Sequence, residues 1–234
     1  MPLMRDAGMD NLIIPAHTAR VKICGFQDLE TAKAAADAGA DAIGFVFAPS
    51  RRRITPETAR EIIAKLPPFV TTVGVFVNEQ VKTVREVAAF CHLDAVQLHG
   101  AEPPDYCRRL GLRVIKAFGV RRETVQDGTG PDLSVVSGED FRAFDAYPVN
   151  AILLDTYIPG KTGGTGESFD WKVLAGKRFP APFILAGGLN PENVAAAVRS
   201  VRPYAVDVSS GVETDGRKDK AKVLQFIAQA KGRA

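Results

Sequence analysis

Apolar positions along this chain switch between two spacings. Short β-branched and apolar runs, the mark of buried strands, alternate with longer stretches whose apolar positions recur at helical spacing. The runs fall at residues 21–24, 42–47, 71–77, 95–98, 114–117, 151–155, 183–186 and 205–208, eight in all. Helix signals lie between them. Residues 28–38 end at Gly39, Thr55 and Pro56 open a helix running to Lys65, and residues 191–199 are entered through Asn190 as an N-cap. The fifth unit is weak, because residues 121–131 are polar and glycine-containing and only residues 138–146 have helical character.

Strands alternating with helices make a parallel sheet covered by helices. Eight such units in 234 residues favour closure into a (β/α)₈ TIM barrel of the α/β class, one domain over residues 20–234, rather than an open doubly wound sheet. The G-x-G-x-x-G fingerprint of dinucleotide-binding sheets does not follow the first strand. Residues 1–19 are expected to be an N-terminal leader outside the barrel, with disorder as an option. Neither it nor any later run has the apolar length of a signal peptide or membrane span.

A content of 46% hydrophobic and 24% charged residues is that of an ordinary globular chain. The net charge of +3, from 30 basic and 27 acidic residues, gives no field that would attract nucleic acid or a membrane surface, so an anionic ligand must be met locally. Cys24, Cys91 and Cys107 are odd in number and accompanied by three histidines, which suggests neither a disulfide framework nor a zinc site. A reducing cytoplasm is expected.

Reactive groups of a barrel close its strands. Cys24 ends the first run, with Lys22 two residues earlier on the same face; such a thiol is either a small core residue or, with positive charge nearby, a base or nucleophile. Asp155 ends the sixth run after four apolar residues. It reads as an N-cap or as a proton donor, since burial at an apolar mouth favours the neutral form of a carboxyl. Gly163-Gly164-Thr165-Gly166, Gly187-Gly188 and Ser209-Ser210-Gly211 let backbone N–H groups approach an anion, and their place after the last three strands suggests a phosphorylated substrate. Any of Arg51, Arg52 and Arg53 can fork onto a carboxylate or stay solvated. Gln97 and His99 share a face of the fourth strand.

These segments, in order, resemble the phosphoribosylanthranilate isomerase family. The resemblance is carried by Lys22-Ile23-Cys24-Gly25, Gly44-Phe45-Val46-Phe47, Gly74-Val75-Phe76-Val77-Asn78, Val96-Gln97-Leu98-His99-Gly100 and Leu153-Leu154-Asp155-Thr156. The glycine run with Phe169-Asp170-Trp171, Gly187-Gly188-Leu189-Asn190-Pro191-Glu192-Asn193-Val194 and Val206-Asp207-Val208-Ser209-Ser210-Gly211-Val212-Glu213 complete it. It implies an Amadori rearrangement in tryptophan biosynthesis, without cofactor or metal, on a small phosphorylated substrate, by a monomer or homodimer. By the same resemblance Asp155 is the general acid and Cys24 the general base, Arg52 binds the anthranilate carboxylate, and His99, Gly164, Thr165, Gly166, Gly187, Gly188, Asp207, Ser210 and Gly211 bind the rest of the substrate. The histidine-pathway isomerase, which pairs two aspartates, fits Cys24 poorly. Indoleglycerol phosphate synthase would need Lys22 or Lys116 as a catalytic lysine, and a non-catalytic phosphate binder would need neither Cys24 nor Asp155.

Overall fold

The computed structural model describes residues 18–121, 135–137, 141–156, 171–174 and 176–233. Its strands are β1 (Arg20–Cys24), β2 (Ala42–Val46), β3 (Thr71–Phe76), β4 (Ala95–Leu98), β5 (Val114–Arg121), β6 (Val135–Ser137), β7 (Ala151–Thr156), β8 (Phe183–Leu185) and β9 (Ala205–Val208). Hydrogen bonding runs β4-β3-β2-β1-β9-β8-β7-β5, all parallel, and β5 returns to β4. The sheet is therefore a closed barrel of eight strands. All eight expected runs are barrel strands; β6 is an addition, pairing with the end of β5 from Gly119↔Val135. A two-stranded hairpin, β10 (Glu213–Thr214) and β11 (Arg217–Lys218), follows β9.

Among the described residues six α-helices surround the strands: α1 (Leu29–Asp37), α2 (Pro56–Ile63), α3 (Val81–Cys91), α4 (Pro104–Leu110), α5 (Val194–Val201) and α6 (Lys220–Ala230). The side chains of Asp28 and Thr55 cap α1 and α2 by accepting the N–H of Thr31 and of Thr58. Two expected boundaries are corrected. Helix α2 stops at Ile63 because the N–H groups of Lys65 and Leu66 turn to tighter three-residue bonds on Ile62 and Ile63. Helix α5 starts at Val194 with Asn193 at the N-cap position, because Asn190 Oδ1 accepts the N–H of Glu192 and of Asn193 in a separate turn. In the weak fifth unit a 3₁₀ helix, Phe141–Ala146, replaces an α-helix, and its Phe144 packs on Phe118 at 4.6 Å between ring centroids. The leader lies outside the described residues except for Thr18 and Ala19.

Side-chain alternation sorts each strand into two layers. Val21, Ile23, Ile43, Phe45, Val96, Leu98, Ile152, Leu154 and Val206 join the large cluster under the helices, whereas Ala117, Ala151, Leu153, Ile184, Ala186 and Ala205 form a second cluster in the barrel interior. Lys22, Cys24, Gln97, Asp155 and Asp207 fall on the interior side by the same alternation. Lys116 does not. It shares the outer parity of Val114 and Phe118, is fully buried, and donates to Gly100 O at 2.6 Å and Glu102 Oε2 at 3.1 Å. Glu102 in turn accepts the N–H of Asn78 and of Gly100, so the pair is satisfied on both sides.

Removing one member of a buried ion pair strands the other. Lys116→Met is expected to cost about 3–5 kcal/mol, read as a lower denaturation midpoint in urea. A midpoint within experimental error of the unchanged protein would contradict this reading.

Candidate functional site

Strand β1 delivers Lys22 and Cys24 to the interior, and the β1–β9 register sets Lys22 opposite Asp207. Lys22 Nζ donates to Asp207 Oδ1 at 2.8 Å, with both groups buried. Burial alone would lower the Lys22 pKa, but Asp207 and Cys24 outweigh it and hold the ammonium above its ordinary value. Burial raises the Cys24 thiol above its ordinary value; Asp207 adds to that rise, while Lys22 and Lys218 oppose it. The strand end is pinned by Ser209 Oγ, which donates to the Cys24 carbonyl at 2.9 Å. Across the β1–β2 pair stands Gly44, where a Cβ would lie 2.8 Å from Cys24 Sγ. Glycine there makes room for the thiol.

Asp155 closes β7 from the interior side, as the sequence suggested. Its Oδ2 lies 3.5 Å from His99 Nε2, and His99 Nδ1 lies 3.1 Å from Gln97 Nε2. When the Gln97 amide donates to Nδ1, the ring proton sits on Nε2 and faces Asp155 Oδ2. Gln97, His99 and Asp155 thus form one chain from β4 to β7.

The arginine run comes to a residue that sequence reading left without a role. Glu213, whose side chain is buried, takes Arg52 in a fork, Nε to Oε1 at 2.6 Å and a terminal nitrogen to Oε2 at 3.1 Å, together with Arg51 at 2.6 Å and Lys218 Nζ at 2.8 Å. Burial would raise the Glu213 carboxyl, but hydrogen bonds from Arg52 and Lys218 hold it below the usual carboxylate range. Lys218 is lowered, chiefly by burial. The sequence signal for Glu213 was its place at the end of the eighth-strand segment, next to no apolar run that would mark it as buried. Arg53 is exposed and lines a separate cleft of about 650 Å³ with Phe47, Ile54, Phe76 and Thr83.

The loops after β8 and β9 meet. Gly187 and Gly188 take φ of 83° and 64°, conformations that favour glycine, and a Cβ on Gly211 would collide with the Leu189 carbonyl. Asn193 Nδ2 donates to the Gly188 carbonyl, fixing that turn against α5. Ser210 opens the short 3₁₀ turn Ser210–Val212. Gly164, Thr165 and Gly166 lie outside the described residues.

The family model described as N-(5'phosphoribosyl)anthranilate (PRA) isomerase matches residues 21–229. The chain belongs to this family. An N-(5'-phosphoribosyl)anthranilate isomerase from Desulforudis audaxviator is 55% identical over 211 residues, 90% of this chain and 97% of the relative. The crystal structure of phosphoribosyl anthranilate isomerase from Thermotoga maritima matches with TM-score 0.77 and 46% identity, covering 92% of this chain and 99% of that one. A second solved isomerase, in complex with reduced 1-(o-carboxyphenylamino)-1-deoxyribulose 5-phosphate, matches with TM-score 0.74 and 45% identity over the same shares. Membership fits the thiol and carboxylate at two strand ends, and sets aside the synthase reading: Lys116 faces the helices and Lys22 is committed to Asp207.

Crowding at Gly44 is testable. Gly44→Ala must displace either Cys24 Sγ or the β1 backbone, and a misplacement of this order costs roughly 10²-fold in turnover. Isomerase turnover of folded Gly44→Ala protein within twofold of the unchanged protein would show that the thiol's position is not critical.

Proposed function

We propose that this chain converts N-(5-phosphoribosyl)anthranilate to 1-(o-carboxyphenylamino)-1-deoxyribulose 5-phosphate, the isomerisation step of tryptophan biosynthesis, with Asp155 as general acid and Cys24 as general base. The observation that carries the assignment is the placing of one carboxyl and one thiol on interior positions at the same rim, beside the loops of Gly188 and Ser210–Gly211. Asp155 gives its proton to the furanose ring oxygen as the anilino nitrogen pushes electrons into the anomeric carbon, opening the ring to a cationic Schiff base. Cys24 thiolate then takes the proton from the adjacent ribose carbon, and the electrons freed neutralise the iminium nitrogen. The enolamine tautomerises to the ketone; Cys24 ends the cycle as the thiol it was at rest, and the proton it released on forming the thiolate restores Asp155 through solvent. Nothing is consumed.

The raised thiol accords with this order of events. In the free site Cys24 is mostly protonated, but the iminium formed in the first step places a positive charge beside it, and a nearby cation favours the thiolate. The thiolate, the form that can take the proton, is populated at the moment it is needed. Arg52, whose Nε edge is held by Glu213, offers its remaining N–H groups to the anthranilate carboxylate. The phosphate is read onto backbone N–H groups near Gly188, Ser210 and Gly211, with Gly164, Thr165, Gly166 and Gly187 completing the loops, and His99 and Asp207 line the ribose side. Three unpaired cysteines support a reducing, cytoplasmic setting. Among the described residues no helix is long and apolar enough to cross a membrane.

Loss of anthranilate-type fluorescence on mixing with freshly generated substrate measures the reaction. Cys24→Ala and Asp155→Ala are each expected to lose about 10²–10⁴-fold in kcat while staying folded; full turnover in either removes that residue's role. Because the thiol lies above its ordinary value, kcat/KM, which reports the free enzyme, is expected to climb from neutrality into the alkaline range. A flat profile there would mean that Cys24 does not act as a thiolate.

A further inference from the structure

Cys24 sits among charges of both signs, and their arrangement is more specific than catalysis by one thiol requires. Lys22, on its own strand and face, is 2% exposed, and its ammonium is bonded to Asp207 at 2.8 Å. Asp207 comes from β9, the neighbour of β1, in direct register with Lys22. From β11 comes Lys218, which donates to the carbonyl of Ser209 and to Glu213, itself joined to Arg52. From β2 comes only Gly44, which carries no charge.

A buried lysine and aspartate in the centre of an apolar barrel are expensive, and burying an ion pair seldom stabilises a fold more than apolar residues of the same size would. We propose that Lys22 and Asp207 are opposed positioning residues for Cys24: the Lys22 ammonium promotes departure of the thiol proton, and the Asp207 carboxylate restrains it. The proposal rests on reading Cys24 as the base, and adds what sets the strength of that base. Alone, Lys22 would offset more of the rise that burial causes, giving a larger share of thiolate, which is open to oxidation and a weaker acceptor of a carbon-bound proton. With Asp207 bonded to it, part of its field is cancelled, and the thiol stays protonated until a cationic intermediate arrives. The directions in which the two groups act on the thiol agree with this, Lys22 lowering its pKa and Asp207 raising it.

The test is the pH dependence of Cys24 alkylation by iodoacetamide in ligand-free protein, read at the Cys24 peptide by mass spectrometry so that Cys91 and Cys107 do not contribute. Only the thiolate reacts. Lys22→Met is expected to move the midpoint up by about one pH unit, and Asp207→Asn to move it down. Lys22→Arg, which keeps the charge, is expected to stay near the unchanged protein. The double variant Lys22→Met with Asp207→Asn leaves neither partner unpaired, so it keeps the test alive should a single variant fail to fold; its midpoint is expected above the unchanged protein and below Lys22→Met. A merely structural pair would not give opposite signs. Shifts in one direction, or none, in folded single variants overturn the proposal, as does a folded double variant at or below the unchanged midpoint. Full turnover by Cys24→Ala would sink the base assignment while leaving these shifts in place, so the two failures are distinguishable.

Discussion

In a closed parallel sheet each strand sends every second side chain inward, and all strands end at the same rim. Closure through the β4–β5 pairing makes this alternation binding, because a slip of one residue in any strand would exchange its interior and exterior sets. Cys24, His99, Asp155 and Asp207 reach one space because each keeps that parity on its own strand. The same rule sends Lys116 outward into a satisfied pair with Glu102, where it braces the turn that follows His99. Chemistry and support are thus divided by the two faces of the sheet.

Charge at the rim follows from that geometry. Glu213 gathers Arg51, Arg52 and Lys218, leaving an excess of positive charge where we propose that a substrate with a carboxylate and a phosphate is held. Each cation is fixed in place before any ligand arrives, so little rearrangement is needed on binding. The two groups proposed to transfer protons have different surroundings: Asp155 belongs to the polar chain through His99 and Gln97, and Cys24 lies deeper, beside Lys22 and Asp207. Separate environments let one site hold an acid and a base together.

The barrel and the polar groups that close its strands were legible in the sequence, and the exceptions have more than one cause. A strand shows itself as a local apolar run, and a rim residue as the polar group that closes it, so the strand-end places of Cys24 and Asp155 could be read before any contact was known. Glu213 could not, because its burial is produced by Arg52 and Lys218, 161 and 5 residues away, and no local pattern announces a carboxylate that three cations will surround. Gly44 was legible only as part of a family segment; that its missing side chain makes room for Cys24 Sγ depends on the β1–β2 register. The start of α5 was misplaced for a local reason, since Asn190 and Asn193 are both good caps and the choice between them is made by the turn between the β8 strand and the helix. The fifth unit offered weak signals and folds as a 3₁₀ helix held by aromatic packing.

In the proposed mechanism ring opening and proton removal belong to different residues. This division is tested most directly by single-turnover mixing followed by borohydride quench, which reduces any open-chain Schiff base to a stable amine. Cys24→Ala protein should open the ring and stop, giving trapped amine; Asp155→Asn protein should give none. Trapped amine with Asp155→Asn, or its absence with Cys24→Ala, would contradict the division of labour.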